Sequence, residues 1–279
     1  MDTKKVWFVT GASKGLGLAL VKRLLNDGNQ VVATSRNLSD LKKIISDENA
    51  MFLPLEVDLV DENAVAKAVS KAIEKFGRLD AIVNNAGYGQ LGTIEELTDE
   101  ESRQNFDTNV FGSLNVIRKA MPHLRTQKSG KIINIASIGG FIGDFAGWGV
   151  YCATKFAVVG FTEALAAEIK EFGLHATVVM PGYFKTDFLK GSSLRTPKNE
   201  IDAYTFARQL QVAHQQDING NQSGDPEKAA VALIELAKME NPPIHLVLGS
   251  DAFQMANDKL KALQNEFSNF TAISTSTDY

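Results

Sequence analysis

Short apolar runs alternate with helix-period segments along the whole chain, and this alternation constrains the fold more than any other feature. Runs at 6–10, 30–35, 53–58, 79–84, 131–137, 175–180 and 244–249 are largely apolar instead of alternating in and out. Strands of that kind are buried on both faces, as in a parallel sheet. Between and after them, segments at 15–27, 62–76, 98–123, 151–172, 226–239 and 251–267 read as helices. Gly28, Gly77 and Gly173 stop three of these, Thr98 and Glu101 form a capping box, and Asp225-Pro226 supplies an N-cap with proline at the first helical position. Right-handed crossovers then predict an α/β fold, a single doubly wound domain over 1–267 with a seven-stranded parallel sheet flanked by helices. The polar stretch at about 188–224 breaks the rhythm, and the sheet resumes after it. It is expected to be a mobile substrate lid, helical near 201–214 and loose near 191–198. Residues 268–279, with Ser-Thr-Ser-Thr, are expected to form a frayed tail.

Lys and Arg number 29 against 33 Asp and Glu, a net charge of −4, which gives no basic footprint for nucleic acid. Cys152 is the single cysteine, so no intramolecular disulfide can form. The start, Met1 to Lys5, is polar and the apolar run after it is too short for a secretory signal. No run approaches the ~18 apolar residues of a membrane span. The expectation is a cytoplasmic protein with neither nucleic acid nor membrane as partner. His123, His175, His214 and His245 make no metal-ligand spacing with one another or with Cys152, so no metal site is expected. Glu95-Glu96 and Asp99-Glu100-Glu101 read as helix-start charges that suit the dipole.

The first apolar run leads straight into Thr10-Gly11-Ala12-Ser13-Lys14-Gly15-Leu16-Gly17 and then a helix. Glycines there let the backbone turn tightly and approach a diphosphate seated on the helix N-terminus. The spacing, Gly-x3-Gly-x-Gly, differs from the familiar Gly-x-Gly-x2-Gly dinucleotide fingerprint. The second run ends at Ser35-Arg36, where an NAD-binding chain would place an acid for the ribose 2′-hydroxyl. A guanidinium there, with Lys14 in the turn, suits a 2′-phosphate instead.

Tyr151 and Lys155 stand four apart at the start of a helix, on one face. An ammonium beside a phenol favours the phenolate and lowers its pKa, and a phenol tuned in this way exchanges a proton with a carbonyl or alcohol oxygen. Ser137 ends the fifth strand at the sheet's carboxyl edge, where its hydroxyl can polarise the same oxygen.

Thr10–Gly17, Asn84-Asn85-Ala86-Gly87, Asn109, Ser137, Tyr151-Cys152-Ala153-Thr154-Lys155 and Pro181-Gly182 stand in an order and spacing that resemble the short-chain dehydrogenase/reductase family. The resemblance covers about 4–187 and resumes at 225–249. It implies a single-domain Rossmann fold that moves hydride between NAD(P) and a carbonyl or alcohol. By position it implies Tyr151 as acid/base, Lys155 as its tuner and a ribose ligand, Ser137 as oxygen donor and Asn109 as holder of a relay water. It implies Gly11, Ser13, Gly15 and Leu16 at the diphosphate, Asp58 and Leu59 at the adenine, and Asn85, Ala86 and Gly87 along the ribose and nicotinamide. Pro181, Gly182 and Thr186 would hold the nicotinamide, and Arg36 with Lys14 match the NADP-preferring branch. NADP(H) is therefore the expected cofactor. A non-catalytic NADP-binding sensor on the same fold is the alternative, and the complete Asn109, Ser137, Tyr151, Lys155 set speaks against it.

Phe141, Ile142, Phe145, Trp148, Tyr88, Tyr183, Phe184 and Phe188 are the candidate pocket walls, which suggests a lipophilic carbonyl. Family dimers pair the helices that match 98–123 and 151–172, and Ala153, Ala157, Gly160 and Ala164 recur at helix spacing in the second. A homodimer, or else a monomer, and not a tetramer, is expected. Family tetramers use the end just after the seventh strand, which the helix at 251–267 is expected to cover.

Overall fold

The computed structural model describes residues 4–43 and 50–279, so the first three residues of the polar start lie outside it. In chain order the elements are β1 (Val6–Val9), α1 (Gly15–Asn26), β2 (Gln30–Ser35), α2 (Leu38–Lys42), β3 (Phe52–Glu56), α3 (Glu62–Phe76) and β4 (Ala81–Asn84). The second half contains β5 (Gly89–Gln90), α4 (Asp99–Phe106), a π turn (Asp107–Phe111), α5 (Gly112–Gln127), β6 (Lys131–Ile135), α6 (Gly149–Ile169) and β7 (His175–Pro181). Then follow β8 (Leu194–Arg195), α7 (Thr205–Val212), a second π turn (Ala213–Ile218), α8 (Pro226–Lys238), β9 (His245–Leu248), α9 (Ser250–Asn269) and α10 (Thr271–Thr275).

Seven strands form one sheet in the order β3-β2-β1-β4-β6-β7-β9, and every neighbouring pair is parallel. The direction of winding reverses between β1 and β4, which opens a crevice beyond their carboxyl ends. The two-residue period of a strand divides the core. Trp7 and Val9 of β1 face a layer with Leu20 and Leu24 of α1 and Leu233 and Ile234 of α8. Val6 and Phe8 face the opposite layer, with Val65 and Val69 of α3, Val116 and Leu124 of α5 and Ile169 of α6. A buried polar ladder crosses the sheet behind the crevice. Asn84 Nδ2 donates to Asn134 Oδ1 (2.8 Å), and Asn134 Nδ2 donates to Thr162 Oγ1 (2.9 Å).

Helix starts fall where their capping residues predict, with both halves of the Thr98–Glu101 box formed and Asp225 capping α8. Four expectations are corrected. The helix expected at 98–123 is split by the π turn and continues to Gln127, past Pro122. The tail is helical through Asn269 and again at Thr271–Thr275, although α10 is wholly exposed. Residues near 191–198 are not loose chain, because β8 pairs with β5 in a two-stranded sheet. The span Gly149–Phe172 is long and apolar enough by composition to cross a membrane. It serves here as a core helix: Thr154, Lys155 and Thr162 are buried with Val158, Leu165 and Ile169 against the sheet.

Candidate active site

The turns after β1 and β4 are fitted to each other. Gly11 and Gly15 hold φ of 63° and 58°, the left-handed region that glycine tolerates. A Cβ on Gly11 would lie 2.7 Å from Ala86 Cα, and one on Gly17 would lie 2.5 Å from Asn85 Nδ2 and 2.6 Å from the Gly11 carbonyl. Asn85 Nδ2 donates to the carbonyls of Thr10 and Gly11, both at 3.0 Å. Thr10 Oγ1 accepts from the backbone N–H groups of Asn85 and Ala86, also at 3.0 Å each. No side chain caps α1, so its first-turn amides face the crevice as an anion seat. Lys14 is held below the ordinary lysine range, first by burial and then by the Arg36 guanidinium, with Asp187 and Asp40 opposing. Two cations pressed together beside a helix N-terminus suit a phosphate-bearing dinucleotide.

One cavity of about 850 Å³ is lined by Gly11, Ser13, Lys14, Gly15, Leu16, Arg36, Asp58, Leu59, Asn85, Ala86, Gly87, Ser137, Tyr151, Lys155, Pro181, Gly182 and Thr186. Of the residues that the sequence singles out for catalysis and cofactor binding, only Asn109 is absent from that lining. It lies behind the wall in the π turn and is 1% exposed. Its Nδ2 donates to the Tyr88 carbonyl and to Thr154 Oγ1, both at 3.0 Å, and its Oδ1 accepts the Tyr88 N–H at 3.0 Å. Thr154 Oγ1 donates in turn to the Tyr151 carbonyl (2.7 Å). Both amide protons of Asn109 are thus committed to holding the Tyr88 turn against the first turns of α6.

Tyr151 and Lys155 are 7% and 5% exposed. Lys155 Nζ donates to the Ile135 carbonyl (3.0 Å) and lies 5.7 Å from the Tyr151 ring centre. Ser137 Oγ accepts the Gly139 N–H (3.1 Å) at the end of β6. Burial holds the Tyr151 phenol well above the ordinary tyrosine range. A Ser137 hydrogen bond opposes this, and Cys152 and Tyr183 add to it. Burial also lowers Lys155 to about 8. The lowering of Tyr151 by Lys155 that the spacing suggests is therefore not what this arrangement gives. The ammonium is turned onto a carbonyl, and desolvation outweighs it.

Beyond Tyr151 the cavity is aromatic. Trp148 meets the Tyr151 ring edge-on at 5.3 Å, and Phe188 lies 6.0 Å from it. Tyr88, Phe145, Tyr183 and Phe184 also line the cavity, as expected. Phe141 and Ile142 do not; they pack against Ala252, Ala256 and Val247 in a separate cluster. His214 is a site residue that the sequence does not single out. Its ring lies 5.0 Å from that of Trp148, tilted by 55°, and its Nε2 lies 2.9 Å from Tyr183 Oη. Its Nδ1 faces the Leu210 carbonyl at 2.7 Å, so Nδ1 carries the proton and Nε2 accepts from Tyr183.

Glu96 and Glu101 do more than charge a helix start. The Glu96 side chain is fully buried, accepts the N–H groups of Thr93 (2.8 Å) and Ile201 (2.9 Å), and pairs with Arg208 of α7 at 2.8 Å. Glu101 accepts the Lys198 N–H at 3.0 Å. Together they pin residues 198–208, which link the cavity-lining Arg195 and His214, to α4 and the loop before it. No sequence signal marks these contacts, because the partners stand about a hundred residues apart.

Residues 5–196 match the short chain dehydrogenase family profile. The chain belongs to this family. An oxidoreductase, BOA17, of Botryotinia fuckeliana is 34% identical over 264 residues, covering 93% of this chain and 94% of its own. A 3-ketodihydrosphingosine reductase of Bacteroides thetaiotaomicron is 36% identical, with 88% of each chain covered. A short-chain dehydrogenase of Streptomyces avermitilis superposes with a TM-score of 0.90 at 32% identity, over 99% of this chain and 100% of that one. Both nicotinamide cofactors occur among solved members. ElxO carries NADP (27% identity, TM-score 0.73, covering 90% of this chain and 100% of that one). A 3-ketoacyl-(acyl-carrier-protein) reductase of Brucella melitensis carries NADH (26% identity, TM-score 0.72, covering 88% and 96%). This short-chain dehydrogenase is thus an oxidoreductase of NAD(P)-binding type with a doubly wound Rossmann fold.

Proposed function

We propose that the protein is an NADP(H)-dependent oxidoreductase acting on a lipophilic carbonyl/alcohol pair, and that reduction is its working direction. The observation that carries this is the convergence of Ser137, Tyr151 and Lys155 with the glycine cradle and the Lys14–Arg36 pair in one cavity. When bound, the cofactor supplies hydride to the carbonyl carbon. Tyr151 then gives its phenolic proton to the carbonyl oxygen; burial raises the phenol and so weakens it as an acid, which makes stabilisation of the phenolate left behind part of the task. Ser137 Oγ donates to the same oxygen as negative charge develops on it. Lys155, with a pKa of about 8, remains charged at pH 7 and favours the phenolate that the proton transfer leaves. Asn109 acts as a positioning residue through Thr154 and the Tyr88 turn.

The aromatic wall of Phe145, Trp148 and Phe188 favours an apolar substrate, and a relative named 3-ketodihydrosphingosine reductase supports a lipophilic ketone. Ala153, Gly160, Ala164 and Phe156 are exposed on α6, and Phe111 is exposed at the π turn, a face suited to a homodimer in the cytoplasm. Residues 188–224 act as the lid. The test is consumption of NADPH and of NADH with a panel of lipophilic ketones, aldehydes and quinones. Turnover with NADPH is expected. Tight NADPH binding with no turnover on any member would favour the sensor instead.

A further inference from the structure

Arg195 projects from β8, inside the segment over the cavity, and lines the same cavity as Lys14 and Arg36. It belongs to no motif of the glycine turn or the reacting set. Pairing of β8 with β5 sets it directly over the turn that follows β4. Its guanidinium lies 4.1 Å from the centre of the Tyr88 ring, and one terminal nitrogen donates to Tyr88 Oη (3.2 Å) and to Gln104 Oε1 (3.0 Å). Stacking and two hydrogen bonds fix the planar fork in one orientation, and both bonds use the same nitrogen. Its fixed partners are neutral oxygens, and among the described residues no carboxylate forms an ion pair with it. Arg36 acts on the same Tyr88 phenol, with Asp107 as the opposing charge, so both guanidinium groups bear on one ring. An oriented cation without an acid partner, lining the same cavity as an anion seat and its two cations, calls for an anionic ligand.

We infer that Arg195 is a binding residue for a phosphate group of the dinucleotide cofactor, delivered by the lid. The inference rests on the cofactor reading above. It adds that cofactor binding and lid position are coupled, because one residue serves both. A phosphate on the crevice floor draws β8 down, and a lid held away leaves the phosphate one cation short.

The test is direct titration of NADP+ and NAD+ without substrate, followed by calorimetry, on the wild type, Arg195→Gln and Arg195→Lys. Arg195→Gln is expected to weaken binding about tenfold, and Arg195→Lys to recover part of the loss. A loss for NADP+ alone assigns the 2′-phosphate, and an equal loss for both cofactors assigns the diphosphate. Unchanged affinity for both in Arg195→Gln overturns the inference while leaving the cofactor reading intact. A wild type that binds neither cofactor overturns both. Proteolysis provides a second readout. NADP+ is expected to protect residues 191–224 in the wild type and to protect them less in Arg195→Lys, whose retained charge makes a folding defect a poor explanation. Equal protection in the two would contradict the coupling.

Discussion

Replacing Lys155 by methionine removes an ammonium that the fold buries at 5% exposure and holds at about 8 instead of 10.5. The unfolded chain binds that proton more tightly than the folded one, so the stability of the wild type rises with pH between the two values. At 1.36 kcal/mol per unit the full penalty on the charged form is about 3 kcal/mol, and it is complete below about pH 7. Between pH 7 and 9.5 the relief amounts to about 2 kcal/mol. The Lys155→Met variant carries no titrating group there, and its loss of the bond to the Ile135 carbonyl does not depend on pH. Urea unfolding of the cofactor-free protein at pH 7, 8, 9 and 9.5 isolates the difference. Wild type should gain about 2 kcal/mol on Lys155→Met across that range, or about 4 °C in Tm. Stability curves that stay parallel would show that Lys155 is not a buried charge at neutral pH, and the reading of its role would fail with it.

Other outcomes follow from the same geometry. Arg36→Asp should reverse the preference for NADP+ over NAD+, which should be at least about tenfold in the wild type, as measured by cofactor titration. Gly17→Ala should weaken cofactor binding at least about tenfold with the fold retained, because its Cβ meets the Gly11 carbonyl at 2.6 Å, and circular dichroism beside the titration separates the two effects. Glu96→Ala should leave Arg208 without its buried partner, destabilise the protein by about 3 kcal/mol and speed proteolysis within 191–224.

The sheet is legible in the sequence because a strand covered on both faces has to be largely apolar, and the interiors of β1, β2, β4, β6 and β7 are buried and depart from this only at Thr34, Asn134 and Thr177. The glycine turn, Tyr151 with Lys155, and Ser137 are legible because their chemistry depends on local spacing. The π turn around Asn109 is not, since Asp107–Phe111 carries no breaker and the bulge follows from contacts with Tyr88 and Thr154. β5 and β8 are two residues each, too short to show a period. The roles of Glu96 and Arg195 arise from pairing across about a hundred residues, which helix-start charge patterns do not encode. The raised phenol of Tyr151 is a consequence of burial, and burial depends on the aromatic wall that Trp148 and Phe188 complete. Spacing alone suggests the opposite direction.

Tyr151→Phe isolates proton donation from the other roles of the site, because it deletes the phenolic oxygen and keeps the ring against Trp148. Single-turnover NADPH oxidation, with a ketone that the panel identifies, measures the step itself, and a parallel titration measures cofactor binding. The rate is expected to fall by about 10²–10⁴ with NADPH affinity unchanged, since general acid catalysis supplies about that factor. A variant that keeps more than about half the wild-type rate would contradict the assignment of Tyr151 and move the proton donor to another residue.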